Sequence, residues 1–248
     1  MRFLATLAAA LTMLVGVPAL AQDPIAEAIE AIDNYDSDGA KTILDTACKA
    51  RNAEACWRLA LIYSGDYSDE GRAAADKLFL ANCARSDARS CYMLAGRVPY
   101  DASEKDKAKA STALVKACDG GLGFACTERA DALRYANDSD KAVVAKLYEQ
   151  GCAHGSRGGC TGAAAIYGET WENPLQDFAK AIELGRKACE MGDGEACSAL
   201  PGYEEAQLGT ENPSMEVLLR WQGYLQKACA FGLTSSCTEY YSGQITLP

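Results

Sequence analysis

Twelve cysteines are the residues best suited to chemistry in this 248-residue chain, and their spacing is regular. They fall into six Cys-x7-Cys pairs, Cys48/Cys56, Cys83/Cys91, Cys118/Cys126, Cys152/Cys160, Cys189/Cys197 and Cys229/Cys237, with none left over. Such thiols can be nucleophiles, metal ligands or disulfides, and the redox compartment decides among them. Other catalytic constellations are thin. The single histidine, His154, lies between Cys152 and Cys160, where it could act as a base beside a thiol or be a solvated turn residue; one histidine is too few for a catalytic zinc site. The glycines 151, 155, 158, 159 and 162 lack the Lys-Ser/Thr of a phosphate loop, so they predict a turn and close packing. No catalytic, cofactor-binding or metal-ligating residue is assigned.

The N-terminus bears on the compartment. Met1, Arg2 and Phe3 form a short basic segment, Leu4 to Val17 is an apolar run shorter than a comfortable membrane span, and Ala19-Leu20-Ala21 has small-x-small spacing. Residues 1–21 therefore have the features of a secretory signal peptide, which predicts export to the periplasm or beyond with no membrane insertion of the mature chain. Gln22 follows where a lipoprotein would have cysteine. Export favours disulfides over free thiols.

Charge narrows the partners. The chain has 24 Lys+Arg against 34 Asp+Glu, a net charge of −10; removing residues 1–21 takes away only Arg2, making it −11. Nucleic acid is an unsuitable partner, because sequence-independent phosphate binding needs the opposite sign.

The elements that position the cysteines follow from a repeat. The first cysteines of successive pairs lie 35, 35, 34, 37 and 40 residues apart, which is the period of a stacked supersecondary unit. Relative to each first cysteine, offsets −4, −5 and −8 share one face of a helix. Those eighteen cells, from Leu44, Ile43 and Ala40 to Leu225, Tyr224 and Trp221, contain no charged residue. Ser37, Asp69, Ser103, Ser139, Asp177 and Ser214 are the expected N-caps of these A helices. Gly121, Gly155, Gly192 and Gly232 mark the turn after four of them, and the second cysteine then opens a B helix. Each pair thus brackets a tight turn of an antiparallel helix hairpin, a separation that a disulfide can span.

Residues 22–35 are expected to form a capping helix, with Asp23 and Pro24 at its start and Ile25, Ile29 and Ile32 on one face over repeat one. Residues 36–248 hold six repeats, the last short enough that a face bearing Tyr240 and Tyr241 is expected either to be partly exposed or to contact a partner. Asn137-Asp138-Ser139 matches a glycosylation sequon, although a loop and helix cap account for it.

The period near 36, the helix-turn-helix unit and the turn motif, clearest at Ala188-Cys189-Glu190-Met191-Gly192-Asp193-Gly194-Glu195-Ala196-Cys197, resemble the Sel-one-like repeat (SLR) family over about residues 36–242. The likeness is greatest to its cysteine-rich secreted branch, the helicobacter cysteine-rich proteins. It implies an all-α, right-handed α-α superhelix (solenoid) of about six TPR-like repeats with one disulfide in each. It also implies either an interaction scaffold or, as in members of that branch, β-lactam binding with weak β-lactamase activity. No serine after residue 21 has lysine three residues on, and Ser-Asp-Asn and Lys-Thr-Gly are absent, so the enzyme reading rests on the resemblance alone. A third reading, a redox or assembly chaperone, requires a labile cysteine pair. Arg51 and Ser86 stand where a turn glycine is expected, and Pro201 replaces alanine in the fifth B helix, which it is expected to distort or shorten.

One pattern exceeds what solubility requires. Offsets −2, −6 and −9 share another helix face and hold Lys77, Lys109, Lys116, Lys146, Lys180, Lys187, Arg220 and Lys227 against one acid, Glu183. Lysines near helix C-termini complement the macrodipole, which accounts for Lys116, Lys187 and Lys227 but less well for the others. If the A helices share one side of the superhelix, these residues form a basic band for a protein segment, an anionic glycan or a β-lactam carboxylate.

Overall fold

A computed structural model describes residues 23–99, 101–136, 140–209 and 212–237, and these residues form twelve α-helices, with the first turn of another at 234–237. Residues 1–21, Ser139, the Asn137–Ser139 sequon and Tyr240 and Tyr241 lie outside them. The A helices are α2 (Ser37–Lys49), α4 (Asp69–Ala84), α6 (Glu104–Asp119), α8 (Lys141–Ala153), α10 (Phe178–Glu190) and α12 (Met215–Ala230). The B helices are α1 (Pro24–Asp33), which precedes the first repeat, then α3 (Ala53–Ser64), α5 (Ala88–Ala95), α7 (Gly123–Arg134), α9 (Arg157–Gly168) and α11 (Gly194–Leu208). Each helix packs on its neighbours in sequence, and B helices of successive repeats also touch, α7 on α9 and α9 on α11. The chain is therefore a two-layer helical solenoid. Its A-to-B turns line one edge and its B-to-A loops the other.

The apolar face read from the sequence is the core: none of its eighteen residues is exposed, and Leu44, Phe79, Tyr148, Ala181 and Leu225 are buried. Small residues let the layers approach. A Cβ on Gly159 would stand 2.6 Å from the backbone nitrogen of Cys152, so α9 reaches α8 only with glycine there. This is the close packing expected of the repeat-four glycine cluster.

Every A-to-B turn has the same hydrogen bonds. In repeat one the Arg51 N–H donates to the Cys48 carbonyl at 2.8 Å and the Asn52 N–H to the Ala47 carbonyl at 3.0 Å, a Schellman closure. The residue three past the first cysteine is left-handed throughout: Gly121, Gly155, Gly192 and Gly232 have φ between 81° and 92°, while Arg51 and Ser86 hold φ 68° without being glycine. The following residue closes the A helix and also caps the B helix. Asn52 accepts from the Ala55 N–H, Asp87 from Ser90, Ser156 from Gly159 and Asp193 from Ala196. Leu122 makes no such bond.

These turns bring each cysteine pair together. Six disulfides, Cys48–Cys56, Cys83–Cys91, Cys118–Cys126, Cys152–Cys160, Cys189–Cys197 and Cys229–Cys237, join the predicted partners with Cα–Cα distances of 4.4 to 4.7 Å. They point to an oxidising, extracellular or periplasmic environment. No helix among the described residues is long and apolar enough to cross a membrane.

Several expectations are corrected. Ser103, Asp177 and Ser214 cap α6, α10 and α12, but α2 and α4 start one residue early, on Asp36 and Ser68, and α8 is capped by Asp140. In α1 the Asp23 carboxylate caps as expected, accepting from the Ile25 N–H at 3.0 Å. The covering face, however, is Ile25, Ala28 and Ala31; Ile29 and Ile32 face solvent. Alanine permits a closer approach to α2 than a row of isoleucines would. Pro201 does not shorten its helix: α11 has 15 residues and is the longest B helix, running through the proline. The proline cannot donate to the carbonyl four residues earlier, a local cost that packing on α10 and α12 offsets.

Cys237 differs from the other second cysteines in its burial. It pairs with Cys229 at a Cα–Cα distance of 4.7 Å, but it is only half-buried, whereas the other five second cysteines are fully buried. Four of those five share core clusters with residues of the next A helix, Cys91 with Ala117, Cys126 with Tyr148, Cys160 with Ala188 and Cys197 with Ala228, and none of the described residues forms such a helix after Cys237. The B helix that Cys237 was expected to open is described only as the single turn 234–237, so the rest of it lies outside the described residues.

Candidate interaction face

The cysteines leave no reactive centre. All twelve are disulfide-bonded; Cys56, Cys91, Cys126, Cys160 and Cys197 are fully buried, and the half-buried Cys237 is held by Cys229. His154 is the C-cap of α8 and lies over the preceding turn, its ring 3.6 Å from where a Gly121 Cβ would stand. Its neighbours Cys152 and Cys160 are paired with each other, so it has no thiol to activate.

The basic residues of the A helices divide into two groups. Half are held by other parts of the protein. Arg220 donates through Nε to Glu204 at 2.9 Å and pairs with it again through Nη2 at 2.8 Å. Lys180 pairs with Glu149, bonds the Tyr167 hydroxyl at 3.0 Å and sits 4.2 Å from that ring's centroid. Lys187 donates to the Cys152 carbonyl of the previous repeat at 3.2 Å, and Lys109 pairs with Asp106 at 2.8 Å. Lys77, Lys116, Lys146 and Lys227 are exposed and form no ion pair among the described residues. The Lys109–Asp106 pair, three residues apart on α6, is local, but sequence reasoning could not find the holds on Lys180, Lys187 and Arg220, whose partners come from other helices.

The Glu204 cluster shows what the held group does. Glu204, on α11, is buried and accepts from Arg186 on α10 at 2.6 Å and from Trp221 Nε1 on α12 at 2.9 Å, as well as from Arg220. Burial pushes its carboxyl pKa up, but the bonds from Arg220, Arg186 and Trp221 outweigh burial and hold it below the ordinary value. With both Glu204 oxygens and the Trp221 N–H bonded, this ionic cluster ties three helices together rather than awaiting a ligand.

One free lysine, Lys116, borders an opening, as does the Asp106-paired Lys109. Leu80 and Cys83 of α4, Leu94 of α5, Val98 beyond it, and Lys109, Ala110, Ala113 and Lys116 of α6 line a mainly apolar groove of about 360 Å³. Two local features make it. Helix α5 has only 8 residues, so its end recedes, and repeat three alone has alanine at both −8 and −5, Ala110 and Ala113. That double alanine was the available signal, and only the register of the other repeats gives it meaning. Leu80 remains strongly exposed at the lip, one turn from Lys77.

The fold and this face define a disulfide-stapled helical-repeat solenoid of the SLR type. Over 84% of its length the chain superposes on the protective antigen c5321 of uropathogenic Escherichia coli, which displays an SLR fold, with a TM-score of 0.65 and 18% identity. It spans 44% of that longer chain. A Sel1 repeat protein from Oxalobacter formigenes matches over 89% of this chain and 87% of its own, with a TM-score of 0.64 and 18% identity. The immunity protein PA5088 of Pseudomonas aeruginosa matches over 86% of this chain and 84% of its own, with a TM-score of 0.51 and 18% identity. No family model and no curated protein matches the sequence. At this identity the likeness establishes the fold.

Proposed function

We propose that this chain is an exported, non-catalytic interaction scaffold of the cell envelope that binds an acidic protein segment on its A-helix face. The observation that carries the reading is the α4–α6 groove, an apolar floor beside Lys116 and near Lys77, both exposed and unpaired. A protein segment presents acidic groups and an apolar side chain together, which is the combination this lining rewards; an anionic glycan presents only the first. The features of residues 1–21 and the six disulfides support work in an oxidising space outside the cytoplasm.

The test is fluorescence anisotropy of the oxidised protein with a labelled peptide of alternating glutamates and leucines. Binding is expected to weaken with salt, to fall about tenfold or more in a Lys77→Glu, Lys116→Glu, Lys146→Glu variant, and to fall when the peptide leucines become serine. Unchanged affinity in the triple variant refutes the reading. Turnover of nitrocefin with a covalent adduct on the intact protein would replace it with an enzyme.

A further inference from the structure

The two halves of α6 are held unequally. Its C-terminal half is anchored: Ala113, Ala117 and Cys118 are its buried residues, Cys118 is bonded to Cys126, and Ala117 and Cys118 share a core with Cys83 and Cys91 of the previous repeat. Residues 104–112 include no buried residue. In the other A helices burial begins within the first two turns, at Ala40, Gly71, Val144, Ala181 and Trp221.

Polar contacts show the same asymmetry. Every other A helix is tied to a neighbouring element through its first half. Lys41 of α2 lies 5.8 Å from the centroid of the Tyr63 ring on α3, and Asp76 of α4 pairs with Arg97 at 2.7 Å. Lys141 of α8 pairs with Glu169 at 2.8 Å, Lys180 of α10 with Glu149, and Arg220 of α12 with Glu204. The first half of α6 is bonded to itself or its own cap. Lys107 pairs with Glu104 at 3.0 Å, Lys109 with Asp106 at 2.8 Å, and the Ser103 hydroxyl donates to Asp106 at 2.7 Å. Among the described residues none of these contacts reaches another helix. Pairs three residues apart support helix formation but do not fix where the helix lies.

Open space flanks this half on both sides. Toward α4 lies the groove of about 360 Å³, and toward α7 a second of about 390 Å³, lined by Gly96 at the end of α5, Ala110, Ser111 and Leu114 of α6 and Leu133 of α7. Ala110 lines both. The short α5 is one cause: successive B helices touch at α1–α3, α7–α9 and α9–α11, whereas α5 reaches neither α3 nor α7 to the same extent. The other is Ala113, which stands at −5 where repeats two, four and five have Leu78, Leu147 and Leu184. Helical turns in water depend on packing for their stability, so turns without it open at low cost.

We propose that residues 104–112 are the movable jaw of the α4–α6 groove, opening locally in the free protein and closing when an acidic segment fills the groove. The closing step rests on the reading of that groove as an interaction site. The occupant supplies the apolar packing that Ala113 and α5 leave out, and so favours the closed state.

Hydrogen exchange of the full oxidised protein tests it. In the free protein the amides of residues 110–112 should exchange about tenfold or more faster than the corresponding 144–146 of α8 and 181–183 of α10. Ala113→Leu, which restores the side chain of the other repeats, should slow them by about tenfold with unchanged circular dichroism. Ala110→Val, matching Val144 of repeat four, should act in the same direction and guards against misfolding of the first variant. A saturating amount of the glutamate–leucine peptide should slow residues 110–112 in the parent and leave α8 and α10 little changed. Equal exchange of the three segments in the free protein overturns the jaw whatever the peptide does, as does unchanged exchange in both filled variants. Peptide bound by anisotropy with residues 110–112 still fast overturns closure while sparing the groove reading. No binding, with residues 110–112 fast and slowed by Ala113→Leu, supports the loose segment and refutes both the acidic occupant and closure upon it.

Discussion

Arg220 closes on Glu204 through both Nε and Nη2, at 2.9 and 2.8 Å, and joins α12 to the middle of α11. Replacing Glu204 with alanine removes the acceptor for two arginines and the buried Trp221 N–H, and should cost about 2–3 kcal/mol, since the arginines are partly exposed and can rehydrate. Hydrogen exchange of α11 and α12 checks this, with the helices before α9 expected to be little affected because solenoid repeats are coupled mainly to their neighbours.

The same carboxylate gives a pH dependence. Its folded pKa lies below the ordinary value of 4.5, so its contribution is complete above that value and is lost as the pH falls through the folded pKa. Protection of α11 and α12 should therefore decline on acidification below the usual glutamate range, and decline less in Glu204→Gln.

Lys146 and Lys180 occupy the same basic face but differ in their contacts. Lys180→Glu would place two carboxylates together at Glu149 and remove the contact with Tyr167, so it should destabilise the α8–α10 region by about 1–2 kcal/mol. Lys146→Glu, at an exposed site, should change the midpoint of urea unfolding by less than about 0.5 kcal/mol equivalent.

Arg51 and Ser86 hold the left-handed turn conformation that glycine holds in four other repeats. Arg51→Gly and Ser86→Gly should each stabilise by about 0.5 kcal/mol, the relief of strain exceeding the added freedom of the unfolded chain. Gly155→Ala should destabilise by about 1 kcal/mol through conformation alone, because no atom lies within 4 Å of the added Cβ. Thermal melts of the oxidised proteins read both signs.

In denaturant, the oxidised protein should show no thiol to Ellman's reagent, and all twelve cysteines only after reduction. The Cys152→Ser, Cys160→Ser double variant should lose about 2.6 kcal/mol, the closure entropy of a nine-residue loop. A pair reduced by mild thiol in the native state would instead favour redox function.

The repeat, its helix hairpins and the core face were legible in the sequence because they are local and periodic. A cysteine ladder sets the phase, and burial recurs at −4, −5 and −8 from each origin. The turns were legible too, down to the left-handed position, since its backbone geometry favours glycine and four repeats supply it. Tertiary structure decided what crosses between helices. It assigned Lys180 to Glu149 and Arg220 to Glu204 while leaving Lys77 and Lys116 free, buried Ala28 instead of Ile29, left Cys237 half-covered where its five counterparts are buried, and carried α11 through Pro201. A lysine's availability depends on a partner tens of residues away, and a proline's cost depends on the packing around it; neither is a property of the residue or of its spacing.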